Sequence, residues 1–356
     1  MTACATYWTP NSSKGGRVVG KQDFVLDVKK LNTSFVSDGK KIRIIKDVSL
    51  RLRRGSTLAI VGESGCGKSV TVHSIVKLMA KNAIVKADHV IYRSAKDGKE
   101  YRLDQMKPYG ADMRRLRGAE IGMVFQDPMS SLNPVYKVGD QVAEGLMQHT
   151  GMKKKEAMEQ VLEVFRKLSI PDPERRINDY PHQFSGGVKQ RVVIAIAMIC
   201  NPEVIIADEP TTVLDVTIQA QIMELMKALQ VNDHKSIILI IHNMGLVAEM
   251  ADEVCVMYMG RVVEFGSLED IFEHPSHPYT EALLRSVPVL GMEEGKELET
   301  IPGITPNPAD LGPGCEFADR CPYCQQRCRE KEIPQYEVSA GHYVRCLKYD
   351  SFQEVV

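Results

Sequence analysis

No apolar stretch in this chain is long enough to cross a bilayer. The longest, Val192–Cys200, falls well short of the roughly 20 residues a span needs. The opening stretch MTACATYWTPNSSKGG is polar and lacks the long apolar core of a secretory signal. The chain is therefore expected to stay in the cytosol, where it can still dock on a membrane protein as a peripheral subunit. A dominant charge is missing too. Its 45 basic and 46 acidic side chains leave a net charge of -1, so there is no global attraction to nucleic acid or anionic lipid, and no nucleic-acid partner is expected. No internal repeat recurs at a fixed period. What is present is ordinary for a soluble globular protein: 356 residues, 44% apolar and 26% charged, enough for one large domain with an appendage or for two domains.

The nine cysteines are unevenly spread. Cys4, Cys66, Cys200 and Cys255 are scattered, whereas Cys315, Cys321, Cys324, Cys328 and Cys346 crowd the C-terminal part. In a reducing cytosol such a cluster reads as a metal site before it reads as disulfides.

Residues 1–22 are rich in Ser, Gly, Lys and Thr and read as a mobile lead-in. Alternating apolar residues in 24–35 and 42–52, separated by SDGKK, predict two antiparallel strands. TLAIVG (57–62), VIIAD (204–208) and SIILIIH (236–242) read as buried strands, and 70–80, 153–168 and 218–230 have helical spacing. Residues 88–107 read as a small antiparallel arm. VVIAIAMIC (192–200) is a helix or a strand, stopped by Asn201-Pro202. Strand and helix alternation of this kind predicts a parallel sheet with helices packed on it. From about residue 274 proline and glycine become dense, which marks a loop-rich C-terminal appendage.

GESGCGKS (62–69) fits the phosphate-loop pattern G-x-x-x-x-G-K-[ST] between a predicted strand and a predicted helix. The spacing has a chemical reason. Its glycines let backbone N–H groups turn inward around phosphates, and the next helix aims its positive end at them. Lys68 can then reach the β- and γ-phosphates, and Ser69 can ligate Mg²⁺. Cys66 fills a tolerant position in the loop. VIIADEP (204–210) ends a strand in two acids. Asp208 suits a Mg²⁺ contact, direct or through water, and Glu209 suits the base that polarises the attacking water. Alone, such a pair is a solvated turn; beside a phosphate loop it becomes the second half of an ATP site. FSGGVKQR (184–191) places Ser185, Gly186 and Gly187 before an apolar helix, a second corner fit for an anion.

Taken in order, GESGCGKS, Gln126 in MVFQDP, FSGGVKQR, VIIADEP, Leu214-Asp215 in TTVLDVT and His242 resemble the motifs of ABC ATPases over about residues 24–270. The resemblance implies an α/β fold: an ABC-type P-loop ATPase domain with an antiparallel β subdomain and a helical subdomain. It also implies that two such domains pair head to tail, with Ser185–Gly187 of one closing over the ATP of the other. It gives Gln126 contacts to Mg²⁺ and the attacking water, His242 a contact to the γ-phosphate, and Asp215 a part in communication between the two sites. Phe35 sits where the family stacks an aromatic ring on adenine, with a core phenylalanine as the close second reading. The expected catalytic residues are Glu209, His242 and Gln126. The expected nucleotide contacts are Phe35, Gly62, Glu63, Ser64, Gly65, Cys66, Gly67, Lys68, Ser69, Val70, Gln126, Asp208, Ser185, Gly186 and Gly187, with Ser69 and Gln126 on Mg²⁺. Three positions depart from the family pattern: Val188 after the Ser-Gly-Gly corner, Val213 before Leu214, and Asn243 after His242.

HPSHPYTEALLRSVP (274–288), GCEFADRCPYCQQRC (314–328) and DPMSSLNP (127–134) resemble the ATPases of dipeptide and oligopeptide importers, with nickel importers sharing the tail in part. That resemblance implies a [4Fe–4S] cluster on Cys315, Cys321, Cys328 and Cys346, with Cys324 a spectator. Zn²⁺ is the alternative, and Cys321 and Cys324 also form a plausible chelating pair. The expected division is a lead-in at 1–22, an ATPase domain at 23–273 and a C-terminal domain at 274–356. The expected partners are a second homologous ATPase, two transmembrane permeases and an extracytoplasmic peptide-binding protein, which places the chain on the cytoplasmic face of the membrane. The function implied is ATP hydrolysis that powers peptide import. The alternatives are a nickel or small-solute importer, or a soluble ABC ATPase of DNA repair or translation. Against the last stand a single motif set, the absence of a heptad run and the balanced charge.

Overall fold

The computed structural model describes residues 24–37, 39–212, 214–286 and 300–355. The expected lead-in at 1–22, Val213 and the end of the 274–288 segment lie outside these residues.

Two sheets organise the chain. The first has five strands and is antiparallel throughout. Lys40–Arg53, Phe24–Ser37, His89–Arg93 and Glu100–Arg102 are neighbours in that order, and Ala83–Lys86 also pairs with Phe24–Ser37. The arm read from residues 88–107 is thus the edge of this sheet. The second sheet has nine strands in the order Gln353–Val355, Gln335–Ser339, His342–Val344, Arg261–Ser267, Glu253–Tyr258, Thr57–Val61, Ser236–Ile240, Val204–Asp208, Ile121–Val124. The last five are mutually parallel.

The strands Thr57–Val61, Val204–Asp208 and Ser236–Ile240 are buried along their whole length, as expected of strands covered on both faces. The two faces still alternate. Ala59, Val61, Ile205, Ala207, Ile237 and Leu239 enter one core with the helices Val138–Thr150, Lys154–Lys167 and Gly186–Met198. Leu58, Ile60, Val204, Ile206, Ile238 and Ile240 enter the other, against the antiparallel sheet and the helix Lys68–Ile75. The ambiguous run Val192–Cys200 falls mostly within the helix Gly186–Met198, which ends before Asn201-Pro202. Its apolar residues go all round because it is packed on several sides.

The C-terminal segment is tied into the second sheet. His342–Val344 pairs with Arg261–Ser267. Below that join lies a fully buried carboxylate, Glu264, which accepts from the backbone N–H groups of Ser276 and His277 at 2.7 and 2.9 Å and faces His342 Nε2 at 2.8 Å. His277 caps the helix Pro278–Arg285 by accepting the Tyr279 N–H at its Nδ1.

Burial pushes the His277 imidazole down to about 4 from its ordinary 6.5, against the pull of Glu264 and with a small push from Lys348. Between these values the unfolded chain takes up a proton that the folded chain refuses, so stability is full above about pH 6.5 and is lost as pH falls toward 4. The full loss is about 3 kcal/mol. His277→Asn keeps a capping acceptor and is expected to show a smaller fall between pH 7 and pH 4.5 than the parent chain. Urea titrations of both chains across that range, compared as differences, check it. Parallel pH curves would remove His277 as the cause.

Candidate functional site

Four adjacent parallel strands deliver the expected groups to one edge. The phosphate loop follows Thr57–Val61, His242 follows Ser236–Ile240, Asp208 ends Val204–Asp208, and Gln126 follows Ile121–Val124. Open α/β sheets bind ligands at the carboxyl ends of their strands, and this edge is of that kind.

The loop needs its glycines. Gly62, Gly65 and Gly67 have φ of 148°, 78° and 103°, and a Cβ on Gly62 would lie 2.2 Å from the Met257 carbonyl oxygen. Ser64 and Gly65 are exposed, whereas Cys66, Gly67 and Lys68 are buried. Cys66 is packed in the core with its thiol pushed up by burial, which suits a filling role. The Lys68 ammonium donates to the carbonyls of Gly62 and Glu63 at 2.9 and 3.0 Å and lies 3.4 Å from His242 Nδ1. Ser69 and Val70 open the helix behind it.

Ser69 Oγ donates to Asp208 at 2.9 Å. Burial raises the Asp208 carboxyl, and neighbouring Glu209 adds to this, while Ser69, His73 and Lys68 oppose it. His73 Nε2 lies 3.7 Å from Asp208, and burial lowers this imidazole. Glu209 turns sharply at the strand end with φ of 47°, its N–H held by the Ile240 carbonyl. Its carboxylate accepts from Gln126 Nε2 at 2.6 Å and from Thr212 Oγ1 at 3.2 Å, and it meets His242 Nε2 in a very short contact. Gln126, Glu209, His242 and Lys68 therefore form one polar chain, and the Ser69–Asp208 pair lies close enough for Glu209 and Lys68 to influence the Asp208 carboxyl. Thr212 and His73 were absent from the sequence reading. Thr212 lies three residues past Glu209, and His73 lies one helical turn past Ser69, so spacing alone could have raised both.

The corner at Ser185–Gly187 stands apart from this chain. Ser185 precedes the helix Gly186–Met198 without using its hydroxyl as a cap. Ser185 and Gly186 are exposed, while Gly187 is packed with its Cα face toward Ile218. Asp215 accepts the Ile218 N–H at 3.0 Å and so caps the helix Val216–Asp233. Asn243 likewise caps Met244–Met250 through the Gly245 N–H at 2.9 Å. Asp and Asn serve equally there, which explains why that departure is tolerated. Phe35 is half-buried on Phe24–Ser37, near the sheet end.

The five C-terminal cysteines line a single cavity of about 50 Å³, together with Phe317, Arg345, Lys348 and others. All five thiols are free. Burial raises Cys315 to about 12, and Cys321 and Cys346 also rise. Among the described residues no three His, Cys, Asp or Glu side chains are grouped to hold one metal ion. Among the same residues no helix is long and apolar enough to cross a membrane.

A phosphate loop at a parallel sheet edge, a strand-end acid pair and an exposed glycine corner on a separate helix define an ATPase of the ABC type. Residues 45–212 match the ABC transporter family, and residues 263–328 match the oligopeptide/dipeptide transporter C-terminal region. The chain is 46% identical to the dipeptide transport ATP-binding protein DppD of Bacillus subtilis, covering 93% of this chain and 96% of that one. It is 47% identical to the oligopeptide transport ATP-binding protein OppD of the same organism, covering 90% and 88%. Among solved structures, the ATP-binding cassette MJ0796, a dimer in a post-hydrolysis state with ADP and Pi, superposes with a TM-score of 0.58 at 26% identity, over 68% of this chain and 98% of that one. CbiO1 of Clostridium perfringens, part of an ABC transporter complex, gives 0.56 at 26% identity, over 71% and 92%. The chain belongs to the ABC transporter ATP-binding proteins that carry the oligopeptide/dipeptide transporter C-terminal region.

Proposed function

We propose that this chain hydrolyses MgATP to power import of dipeptides or oligopeptides across the cytoplasmic membrane, working from the cytoplasmic face. The observation that carries the reading is the peptide-transporter C-terminal region joined to the ATPase in one chain. The partners are two permeases, an extracytoplasmic peptide-binding protein and a second homologous ATPase. Met129, Val135 and Tyr136, which follow Gln126 closely in the chain, are large, exposed apolar side chains. They offer a permease a surface tied to the ATP site, since such groups gain by being covered. In this reading residues 23–273 are the ATPase domain and 274–356 a C-terminal domain. The test is ATP turnover in proteoliposomes with both permeases and the binding protein. Peptide is expected to stimulate turnover severalfold. Persistent recovery with ribosomes or DNA, and no response to peptide, would overturn the assignment.

At the site, Lys68 and backbone N–H groups of the loop and helix start Gly65–Val70 bind the phosphates, with Phe35 against the base. Ser69, Asp208 and Gln126 offer the hard oxygen donors that Mg²⁺ requires. Burial, with a smaller push from Glu209, raises the Asp208 carboxyl, and a cation held there would favour its ionised form. Glu209 takes the proton of the attacking water, and Gln126 and His242 hold its carboxylate in line. Ser185 and Gly186 are exposed and, with the packed Gly187 behind them, form the corner that would close over a partner's nucleotide, with Asp215 capping the neighbouring helix.

Cys315, Cys321, Cys328 and Cys346 are the donors for a [4Fe–4S] cluster in this reading, with Cys324 a spectator. The donor set fits. A cubane is held at its corners, so four thiolates can surround a body without converging on one point. When bound, such a group supplies cross-linking of the loops and one-electron chemistry. Protein purified without oxygen is expected to be brown, with iron and acid-labile sulfide, and to lose colour in Cys346→Ser but keep it in Cys324→Ser. Colourless protein with stoichiometric zinc would replace iron by zinc.

A further inference from the structure

Three groups from the C-terminal segment land on one residue of the phosphate loop. The Glu63 carboxylate receives both terminal nitrogens of Arg320, Nη1 at 2.6 Å and Nη2 at 3.0 Å, and Thr305 Oγ1 at 3.3 Å. The Glu63 backbone N–H donates to the Tyr279 hydroxyl at 2.8 Å. From the opposite side, the Lys68 ammonium holds the Glu63 carbonyl. The entry limb of the loop is thus gripped at carboxylate, amide and carbonyl.

Arg320 is itself built in. Its Nε donates to the Pro302 carbonyl at 2.9 Å, its Nη2 to the Ile301 carbonyl at 3.3 Å, and its Nη1 to the Tyr258 hydroxyl at 3.2 Å. The guanidinium lies 5.9 Å from the ring centres of both Tyr258 and Phe317. Tyr258, Tyr279 and Phe317 pack mutually, with centres 4.7 to 5.4 Å apart. The Arg320 side chain is only 5% exposed. A bidentate guanidinium–carboxylate pair so enclosed has one geometry and little freedom.

The pair also has an address. Arg320 directly precedes Cys321, and Phe317 lines the cysteine cavity while packing on Tyr258 and Tyr279. The cavity wall and the phosphate loop therefore share side chains. Lys68 must leave the Gly62 and Glu63 carbonyls to reach a phosphate. A limb held from behind stays in place when the lysine departs, so less ordering has to accompany binding.

We propose that Arg320 is a positioning residue for the phosphate loop: with Tyr279 it fixes Glu63 and thereby sets nucleotide affinity, which makes the cysteine-lined segment a control element for ATP binding. The proposal rests on the reading of Gly62–Ser69 as the ATP loop, and the controls separate the two.

The test is titration of the full chain with a fluorescent ATP analogue and Mg²⁺, well below the melting temperature, beside steady-state turnover. Arg320→Met is expected to weaken binding about tenfold and raise KM equally, with kcat within twofold, a difference of about 1.4 kcal/mol. Arg320→Lys restores part of the affinity, since it keeps the charge but not the fork. Glu63→Gln reproduces the loss from the other side, and it decides the matter alone if Arg320→Met does not fold. The double variant is expected to be no worse than the weaker single one. Arg329→Met, which removes the exposed pair with Asp319 in the same segment and touches no group on Glu63, leaves affinity unchanged. A lower melting temperature with unchanged affinity in Arg320→Met, or losses that add in the double variant, would overturn the proposal. Wild-type affinity in Lys68→Ala would instead remove the loop reading, and the proposal with it.

Discussion

Glu209→Gln is expected to leave MgATP binding intact and to cut hydrolysis at least about 100-fold, the usual range for a lost general base being 10²–10⁴. The backbone should not notice the change. Glu209 has φ of 47°, and its N–H is tied to the Ile240 carbonyl. Glutamine meets the same conformational cost, so the strand end keeps its turn. The side-chain oxygen can still accept from Gln126 and Thr212. What disappears is the carboxylate that can hold a proton. The charge removed also sits beside Asp208, whose carboxyl it helps to raise, so neutralising it eases Asp208 toward ionisation. Bound nucleotide should therefore persist, and two chains should remain locked around it. Equilibrium binding and size-exclusion chromatography in ATP check the first half, and phosphate release checks the second. Turnover near the wild-type rate would mean that another group activates the water.

The extent to which this site was legible in one sequence depended on how its residues are connected. The phosphate loop, the Asp208-Glu209 pair and the Ser185–Gly187 corner are short motifs, and local backbone geometry sets their spacing. Gly62 must be glycine because of where Met257 lies, yet the pattern records the need without naming Met257. The alternation of strands and helices announced a parallel sheet from three strands, which bring Asp208 and His242 to the loop, whereas the strand Ile121–Val124 that delivers Gln126 went unread because it is only four residues long. Residues 192–200 stayed ambiguous because a helix packed on several sides has no polar face to show its period. The Glu63–Arg320 pair was not legible. Its partners are 257 residues apart, and neither carries a local signal. The same holds for Glu264, which reads as one more strand charge until Ser276, His277 and His342 close around it. The cysteines fall between these cases. Their crowding was plain, but only the fold brings Cys315 and Cys346 to one cavity wall.

Gly186→Asp is the second substitution with a large expected effect, and it probes what the chain lacks. Gly186 is exposed at the first turn of its helix, and a Cβ there would meet only Leu214 Cδ2, at 3.5 Å. That is ordinary contact, so the added side chain fits the free chain. An aspartate at a helix start also suits the positive end of the dipole, which favours the fold slightly. By contrast, a Cβ on Gly187 would lie 2.6 Å from Ile218 and disturb the packing, which makes Gly187 the poorer probe. Within its own chain the new carboxylate touches none of the groups at the phosphate loop. If the corner closes over a partner's ATP, the carboxylate faces the γ-phosphate, and like charges forced together cost several kcal/mol. Turnover by the assembled ATPase pair is then expected to fall at least about 100-fold, since each 1.4 kcal/mol is tenfold. ATP affinity of the variant's own loop should stay within twofold, and its melting temperature should not drop. A site complete within one chain predicts wild-type turnover from Gly186→Asp. The two outcomes differ by orders of magnitude, and they decide whether the loop at Gly62–Ser69 is a whole active site or half of one.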